Sequence, residues 1–393
     1  MTDRVITDFG ASPGADCSEA VARAIEAGGR VVVPPGDFLT GPMRLRSNVE
    51  LHVSAGATLR FHTDATTYPI VRTRWQGIEC FSHSPLIYAY GETDVAITGT
   101  GTLDGGASTA NWWSSTRPRT DWQRLVQMAD DGVPVEERVF APGHGFRPSF
   151  VQPYECRRVR IEDVRIVNAP MWVVHPVFCT DVLVRGVTVD SLGPNNDGCN
   201  PDSCEDVVIT GCSFTTGDDC IAIKSGRDSD GRRVARPSRN ILIESCRFTA
   251  GHGALTIGSE ASGGVHNVHA QDLRVTGTDH AIRVKTNSAR GGRIENLTAT
   301  NLTANALTTS VVLITTRHAE PDPPGEHAPV VRNITITNLT AHSTPRTVEI
   351  IDSPRAPVEG FTLASTQPGE PAASAPVSVT DRQENKADRP ACG

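Results

Sequence analysis

The chain has 393 residues, with 37 Lys and Arg against 45 Asp and Glu, giving a formal net charge of −8. That length allows one large domain or two smaller ones, each with a sizeable core. The negative balance argues against general nucleic-acid binding and requires a local cationic patch for any polyanionic ligand. Only 38% of residues are hydrophobic and 5% aromatic, while 35 Gly and 27 Pro make the composition turn-rich and β-leaning. No run approaches the roughly 20 apolar residues of a membrane helix.

Met1-Thr2-Asp3-Arg4 leads straight into Val5–Gly10, with neither a basic n-region nor an apolar h-region. Taken as the native start, this predicts a cytoplasmic protein; a trimmed N-terminus would be compatible with secretion. Ser18 to Ala27 predicts a short amphipathic helix, with Asp16 or Ser18 as its N-cap. The alternations Arg30–Val33, Val49–Val53 and Val95–Thr98 predict strands. Residues 114–147 carry mixed charge and no apolar period, which predicts a long insertion, partly helical around Asp121–Ala129.

From residue 158 a pattern repeats. It begins with Arg158-Val159-Arg160-Ile161 and continues with Asp181-Val182-Leu183-Val184, Asp206-Val207-Val208-Ile209 and Asn240-Ile241-Leu242-Ile243. Asn267-Val268-His269-Ala270, Asn296-Leu297-Thr298-Ala299 and Asn333-Ile334-Thr335-Ile336 follow. Period-2 alternation in runs this short means strands rather than helices. The first steps are 181 − 158 = 23 and 206 − 181 = 25 residues, with no helices between. Equivalent strands at that period predict an all-β solenoid, a parallel β-helix in one domain over residues 1–365, with the 18–27 helix capping its open core end. A β-sandwich is the competing arrangement.

The Asn and Asp that lead the repeats suit left-handed corners. The Asn-x-Thr sequons at Asn296, Asn301, Asn333 and Asn338 therefore read as structural. Ten cysteines without paired Cys-x-x-Cys motifs predict no zinc site; Cys156, Cys179, Cys204, Cys212 and Cys246 fall near strands and read as buried thiols. Residues 366–393, rich in Pro, Ala, Ser and charge, predict a loose tail.

The chemistry concentrates in Asn195-Asn196-Asp197-Gly198, Gly217-Asp218-Asp219-Cys220, Gly251-His252-Gly253 and Arg283-Val284-Lys285. An Asp-Asp pair in a Gly-rich turn is, by itself, a solvated corner. Asp197 one coil earlier alters that reading, because successive coils bring equivalent positions side by side. Crowded carboxylates raise the proton affinity of at least one member, setting a neutral acid beside charged bases. His252 is either a turn residue or a neighbour of that acid. Arg283 and Lys285, two apart on a strand, share a face; they form a solvated stripe or a clamp for an anionic ligand. Trp112 and Trp113 stack on a sugar or cover the core. Trp172 and His175, one coil before Asp197, are further candidates for a substrate wall. No Asp-x-Asp loop suggests calcium, and no metal or cofactor is expected.

These four motifs, in this order on a β-helix repeat, resemble glycoside hydrolase family 28, the polygalacturonase family. Asp8-Phe9-Gly10-Ala11, Gly56-Ala57-Thr58-Leu59, Gly99–Gly105 and Tyr68-Pro69-Ile70 through Arg74-Trp75-Gln76-Gly77 are similar to bacterial members, and the likeness covers roughly residues 5–355. The resemblance implies a right-handed β-helix and inverting hydrolysis of α-1,4-linked galacturonate. It implies Asp218 as the acid, Asp197 and Asp219 as holders of the water, His252 beside the acid, and Asn195, Arg283 and Lys285 on the substrate. Two positions depart from the pattern: Asn200 stands where many relatives carry Asp, and a Tyr of the substrate site has no counterpart in Leu313–His318.

The expected partner is an acidic oligo- or polysaccharide, cut from its ends because the 114–147 insertion would wall off one end of a groove. No nucleic-acid or membrane partner is expected, and the oligomeric state is unassigned. Rhamnogalacturonan or xylogalacturonan hydrolysis, lyase-type β-elimination and non-catalytic glycan binding are the alternatives.

Overall fold

The computed structural model describes residues 2–114, 119–319 and 326–365; the tail expected at 366–393 lies outside the described residues. The chain winds into a right-handed parallel β-helix. Its first stack of strands shows why the repeat folds this way. Val31, Leu51, Ile97, Ile161, Val184, Ile209, Ile243, Ala270, Ala299, Ile336 and Leu363 pair in register from coil to coil. All are buried. With a side-chain period of two, a one-residue slip would turn this whole column to solvent, so the alternation sets the register.

The polar residue that leads each repeat does a separate job. Asp206, Asn240, Asn267, Asn296 and Asn333 all have positive φ, between 56° and 62°. Their amides form a ladder along the corner: Asn240 donates to Asp206 at 3.0 Å, Asn267 to Asn240 at 3.3 Å, Asn296 to Asn267 at 3.0 Å and Asn333 to Asn296 at 3.1 Å. Asp272, Asn301 and Asn338 form a second ladder at 2.9 and 3.0 Å. Asn tolerates the left-handed corner and supplies both donor and acceptor to its neighbours. The described cysteines are all buried and free.

Helix α1 (Ser18–Glu26) buries Ala20, Val21, Ala24 and Ile25 against the first coils. Asp16 Oδ1 accepts the Ser18 N–H at 2.9 Å, so Asp16 is the side-chain acceptor at its start. Two excursions then build a wall beside the helix. One is an antiparallel hairpin, Ile70–Trp75 with Ile78–His83. The other carries helix α2 (Arg119–Asp130), one to two residues longer at its ends than the sequence suggests. They share a small core of Trp75, Ile78, Cys80, Leu125, Phe140, Phe146 and Trp172.

Ion pairs, two of them fully buried, brace the hairpin and lock the wall to the solenoid. Arg74 meets Asp202 at 2.9 Å, Arg138 meets Asp230 at 2.6 Å, and Glu79 holds Arg72 at 2.9 Å as well as Arg233. Asp230 and Arg233 belong to helix α3 (Asp228–Val234). At the hairpin tip, Gly77 has φ +82°, and a Cβ there would lie 2.9 Å from the Arg227 backbone nitrogen. Only glycine lets the hairpin close on that segment.

Candidate active site

The third stack of strands carries the site. Val174, Cys199, Ile221, Leu255, Ile282, Val312 and Val348 pair in register and fill its inner face. Two positions earlier on successive coils lie Trp172, Asp197, Asp219 and Gly253. Stacking thus makes neighbours of residues 22 to 34 apart in sequence. Arg283 and Lys285 alternate with buried Ile282 and Val284 on Thr278–Lys285, so both face outward on one side, as period two predicts.

Trp172, Asp197, Asp219, Arg283 and Lys285 line one groove of about 360 Å³ with Asn195, Asp218 and His252. Lys285 Nζ lies 2.8 Å from Asp219 Oδ2 and Arg283 Nη1 3.4 Å from Asp219 Oδ1. Asp219 sits two coils below those cations, with Gly253 between. A Cβ on Gly253 would lie 3.0 Å from Asp219 Oδ1 and 3.4 Å from Arg283 Cβ, so the glycine clears the path of the guanidinium. His252 Nδ1 is 3.3 Å from Asp218 Oδ1, and Asn195 Nδ2 donates to Asp218 Oδ2 at 3.4 Å. Arg147 orients Asn195 through a 2.7 Å bond to its Oδ1. Asn200, the variant position, donates to Asp197 Oδ2 at 3.2 Å.

Electrostatics divide the three carboxylates. Burial, then repulsion from Asp218, raises Asp197 well above the ordinary carboxylate range. Burial also opposes ionisation of Asp219, but Lys285 and Arg283 prevail and hold it below that range. Burial opposes ionisation of Asp218 as well, yet its hydrogen bond with His252 leaves it lowered. The same bond raises His252. The environment therefore pushes the carboxyls apart, and in the open groove the raised one is Asp197 rather than Asp218. Side-chain exposure is 19% for Asp218, 4% for Asp197 and 1% for Asp219, so Asp218 is the one presented to a ligand.

The structure also sorts the remaining candidates. Trp172 lines the groove, with Lys224 Nζ 4.5 Å above its ring. His175 does not reach it. The ring is fully buried behind Trp172, 4.7 Å away edge-on, and bonds to Ser149 and Gln152. Those bonds to Ser149 and Gln152 hold it away from the ligand side. Trp112 packs edge-on against Tyr68, and Trp113 donates to the Ala169 carbonyl; both cover the core.

Sequence reasoning misses a second set of groove residues: Gln76, Trp122, Lys224, Arg227, Glu260, Arg290 and His318. Lys224 Nζ bridges Asp197 Oδ2 at 3.4 Å and Glu260 Oε2 at 3.0 Å. Its register with Gly258 and Lys285 was the available signal, since Lys224 occupies the Lys285 position two coils earlier. His318, in the stretch lacking the expected Tyr, is pushed down to about 3 by burial and by Lys285, and is neutral. Five cations (Lys224, Arg227, Arg283, Lys285, Arg290) thus face four carboxylates (Asp197, Asp218, Asp219, Glu260) in the groove lining. This is the local cationic patch that the negative chain requires for an anionic ligand.

A family model described as glycosyl hydrolases family 28 matches residues 138–367. A Vitis vinifera protein named "Probable polygalacturonase" is 30% identical over 304 residues, covering 74% of this chain and 56% of that protein. A Dickeya chrysanthemi protein named exo-poly-alpha-D-galacturonosidase is 26% identical over 344 residues, covering 80% of this chain and 57% of that protein. The chain thus spans little more than half the length of these two curated relatives. The solved structure of a hyperthermoactive exopolygalacturonase from Thermotoga maritima matches with a TM-score of 0.86 and 42% identity, covering 92% of this chain and 88% of that one.

Proposed function

The chain belongs to glycosyl hydrolase family 28, and from that membership and the groove we propose that it hydrolyses α-1,4-linked galacturonate in pectic oligo- or polysaccharides, with inversion and from a chain end. The single observation that carries the reading is the carboxylate triad Asp197–Asp218–Asp219 facing a net cationic groove. The acid set suits glycoside hydrolysis, and the cations suit a uronate. The wall formed by the hairpin and α2, which brings Gln76 and Trp122 to the groove, supports exo action.

In this mechanism Asp218 protonates the leaving oxygen. His252 and Asp218 carry one proton between them, and in the open groove it rests on His252. A substrate that covers the pair removes the solvation of its two charges. Burial then favours the neutral pair and returns the proton to Asp218. Asp219, kept ionised by Lys285 and Arg283, accepts the proton of the attacking water. Asp197, whose proton affinity burial raises, helps to hold that water. Donors of Arg283 and Lys285 not used on Asp219 hold the uronate on the leaving side.

The test is a time course on trigalacturonate, with chromatography and ultraviolet detection. Saturated galacturonate plus digalacturonate is expected. Unsaturated products would replace hydrolysis by β-elimination, and binding without turnover would leave a glycan-binding protein. On hexagalacturonate, early accumulation of one short product is expected, and a spread of mid-length products would overturn exo action.

A further inference from the structure

The groove holds more positive charge than the catalytic carboxylates use, and it lies in one place. Arg283 and Lys285 are engaged with Asp219. Arg227 and Arg290 share another carboxylate, with Arg227 Nε 3.2 Å from Asp228 Oδ2 and Arg290 Nη1 2.5 Å from Asp228 Oδ1. Arg227 Nη1 also approaches Glu260 Oε1 at 3.5 Å, but Glu260 is shared with Lys224 at 3.0 Å. Three cations (Lys224, Arg227, Arg290) thus gather beside the wall around Asp228 and Glu260, with Lys224 also reaching Asp197 at 3.4 Å.

Two further observations point to an anionic ligand. The Arg290 Nε is buried and has no hydrogen-bond partner among the described residues. A buried guanidinium nitrogen left unpaired is costly and marks a place where a ligand acceptor belongs. The Arg227 guanidinium lies 4.5 Å over the Trp122 ring, which fixes its plane for planar recognition. Burial and the nearby Arg290 pull Arg227 down to about 10, and a carboxylate arriving between them would relieve that repulsion.

We propose that Arg227 and Arg290 form a second carboxylate-reading centre at the walled end of the groove, which receives the uronate of the released terminal sugar. The enzyme then requires a free acid at that terminus and rejects a methyl ester or a neutral hexose. This rests on the hydrolytic, exo-acting reading above. The two centres divide the work: Arg283 and Lys285 serve the sugar on the leaving side, and Arg227 and Arg290 serve the sugar that is freed.

Calorimetric titration with galacturonate and with galactose separates this from a bracing role for the two arginines. Wild type is expected to bind galacturonate far better than galactose. Arg227→Gln and Arg290→Gln are each expected to weaken galacturonate by about 10- to 100-fold while leaving galactose unchanged. Arg227→Lys keeps the charge without the planar fork and is expected to fall between wild type and Arg227→Gln. Thermal melts of the same samples report folding, and wild-type rates on trigalacturonate with a free or a methyl-esterified terminus give a readout that needs no variant.

Equal losses for both sugars, no preference of wild type for the acid, or equal rates on the free and esterified trimers would overturn the proposal. Arginine-dependent galacturonate binding by a protein that leaves trigalacturonate intact would instead strike the hydrolytic reading and retain the carboxylate site.

Discussion

Replacing Lys285 by Met tests the claim that the groove cations maintain a charged base. Lys285 Nζ is 2.8 Å from Asp219 Oδ2, and Arg283 Nη1 is 3.4 Å from the other oxygen. At an effective dielectric of about 20, 332/(20 × 2.8) and 332/(20 × 3.4) give about 6 and about 5 kcal/mol. Lys285 thus supplies roughly half of the field that opposes the burial of Asp219. Part of the loss is offset because the ammonium no longer has to be desolvated. Breaking one partner of a buried pair costs about 3–5 kcal/mol, or roughly 10²- to 4 × 10³-fold in kcat/KM at about 1.4 kcal/mol per decade if all of it is felt in the transition state.

The sign follows from Asp219 being depressed. It is a charged base at all pH values above its folded pKa, and losing the cation raises that pKa. The acid limb of kcat/KM on trigalacturonate should therefore move to higher pH in Lys285→Met. Lys285→Arg should move it back toward wild type. An acid limb that stays in place, with kcat/KM within tenfold of wild type, would refute the assignment of Asp219 as a base held by these cations.

Four further outcomes are expected. Asp218→Asn should lower turnover by about 10²- to 10⁴-fold while melting and trigalacturonate binding stay close to wild type; near-normal rates would remove Asp218 as the acid. His252→Ala removes the bond that raises His252 and keeps a proton in the pair, so the alkaline limb of kcat/KM should shift to lower pH; an unmoved limb would exclude His252 as the proton store.

Burial opposes ionisation of Glu79, but Tyr154, Arg233 and Arg72 pull it from 4.5 to about 2. It should contribute about 3 kcal/mol of stability that is present above pH 4.5 and lost as pH falls toward 2. Denaturant titrations across that range should show Glu79→Gln losing this dependence, and an identical pH profile would contradict the ion-pair account of the wall. Trp122→Ala should broaden the early products from hexagalacturonate beyond one short sugar; an unchanged pattern would leave Trp122 without a part in exo action.

What could be read from residues alone was whatever repeats or recurs at fixed spacing. Polar–apolar alternation sets a column from Val31 to Leu363, because one slip exposes every member. The Asn and Asp at the head of each repeat mark left-handed corners, because few other residues accept that conformation and bond along it. The same logic made neighbours of Asp197 and the Asp218–Asp219 pair and put Arg283 and Lys285 on one face.

The tertiary structure decided everything that depends on where loops of unequal length meet. It turned His175 inward behind Trp172, used Trp112 and Trp113 to cover the core, and brought Trp122, Arg227, Glu260, Arg290 and His318 to one groove. It also decided in which direction each carboxyl's proton affinity is pushed. Protonation follows from burial depth and from the cations within a few ångströms, and neither is local in sequence.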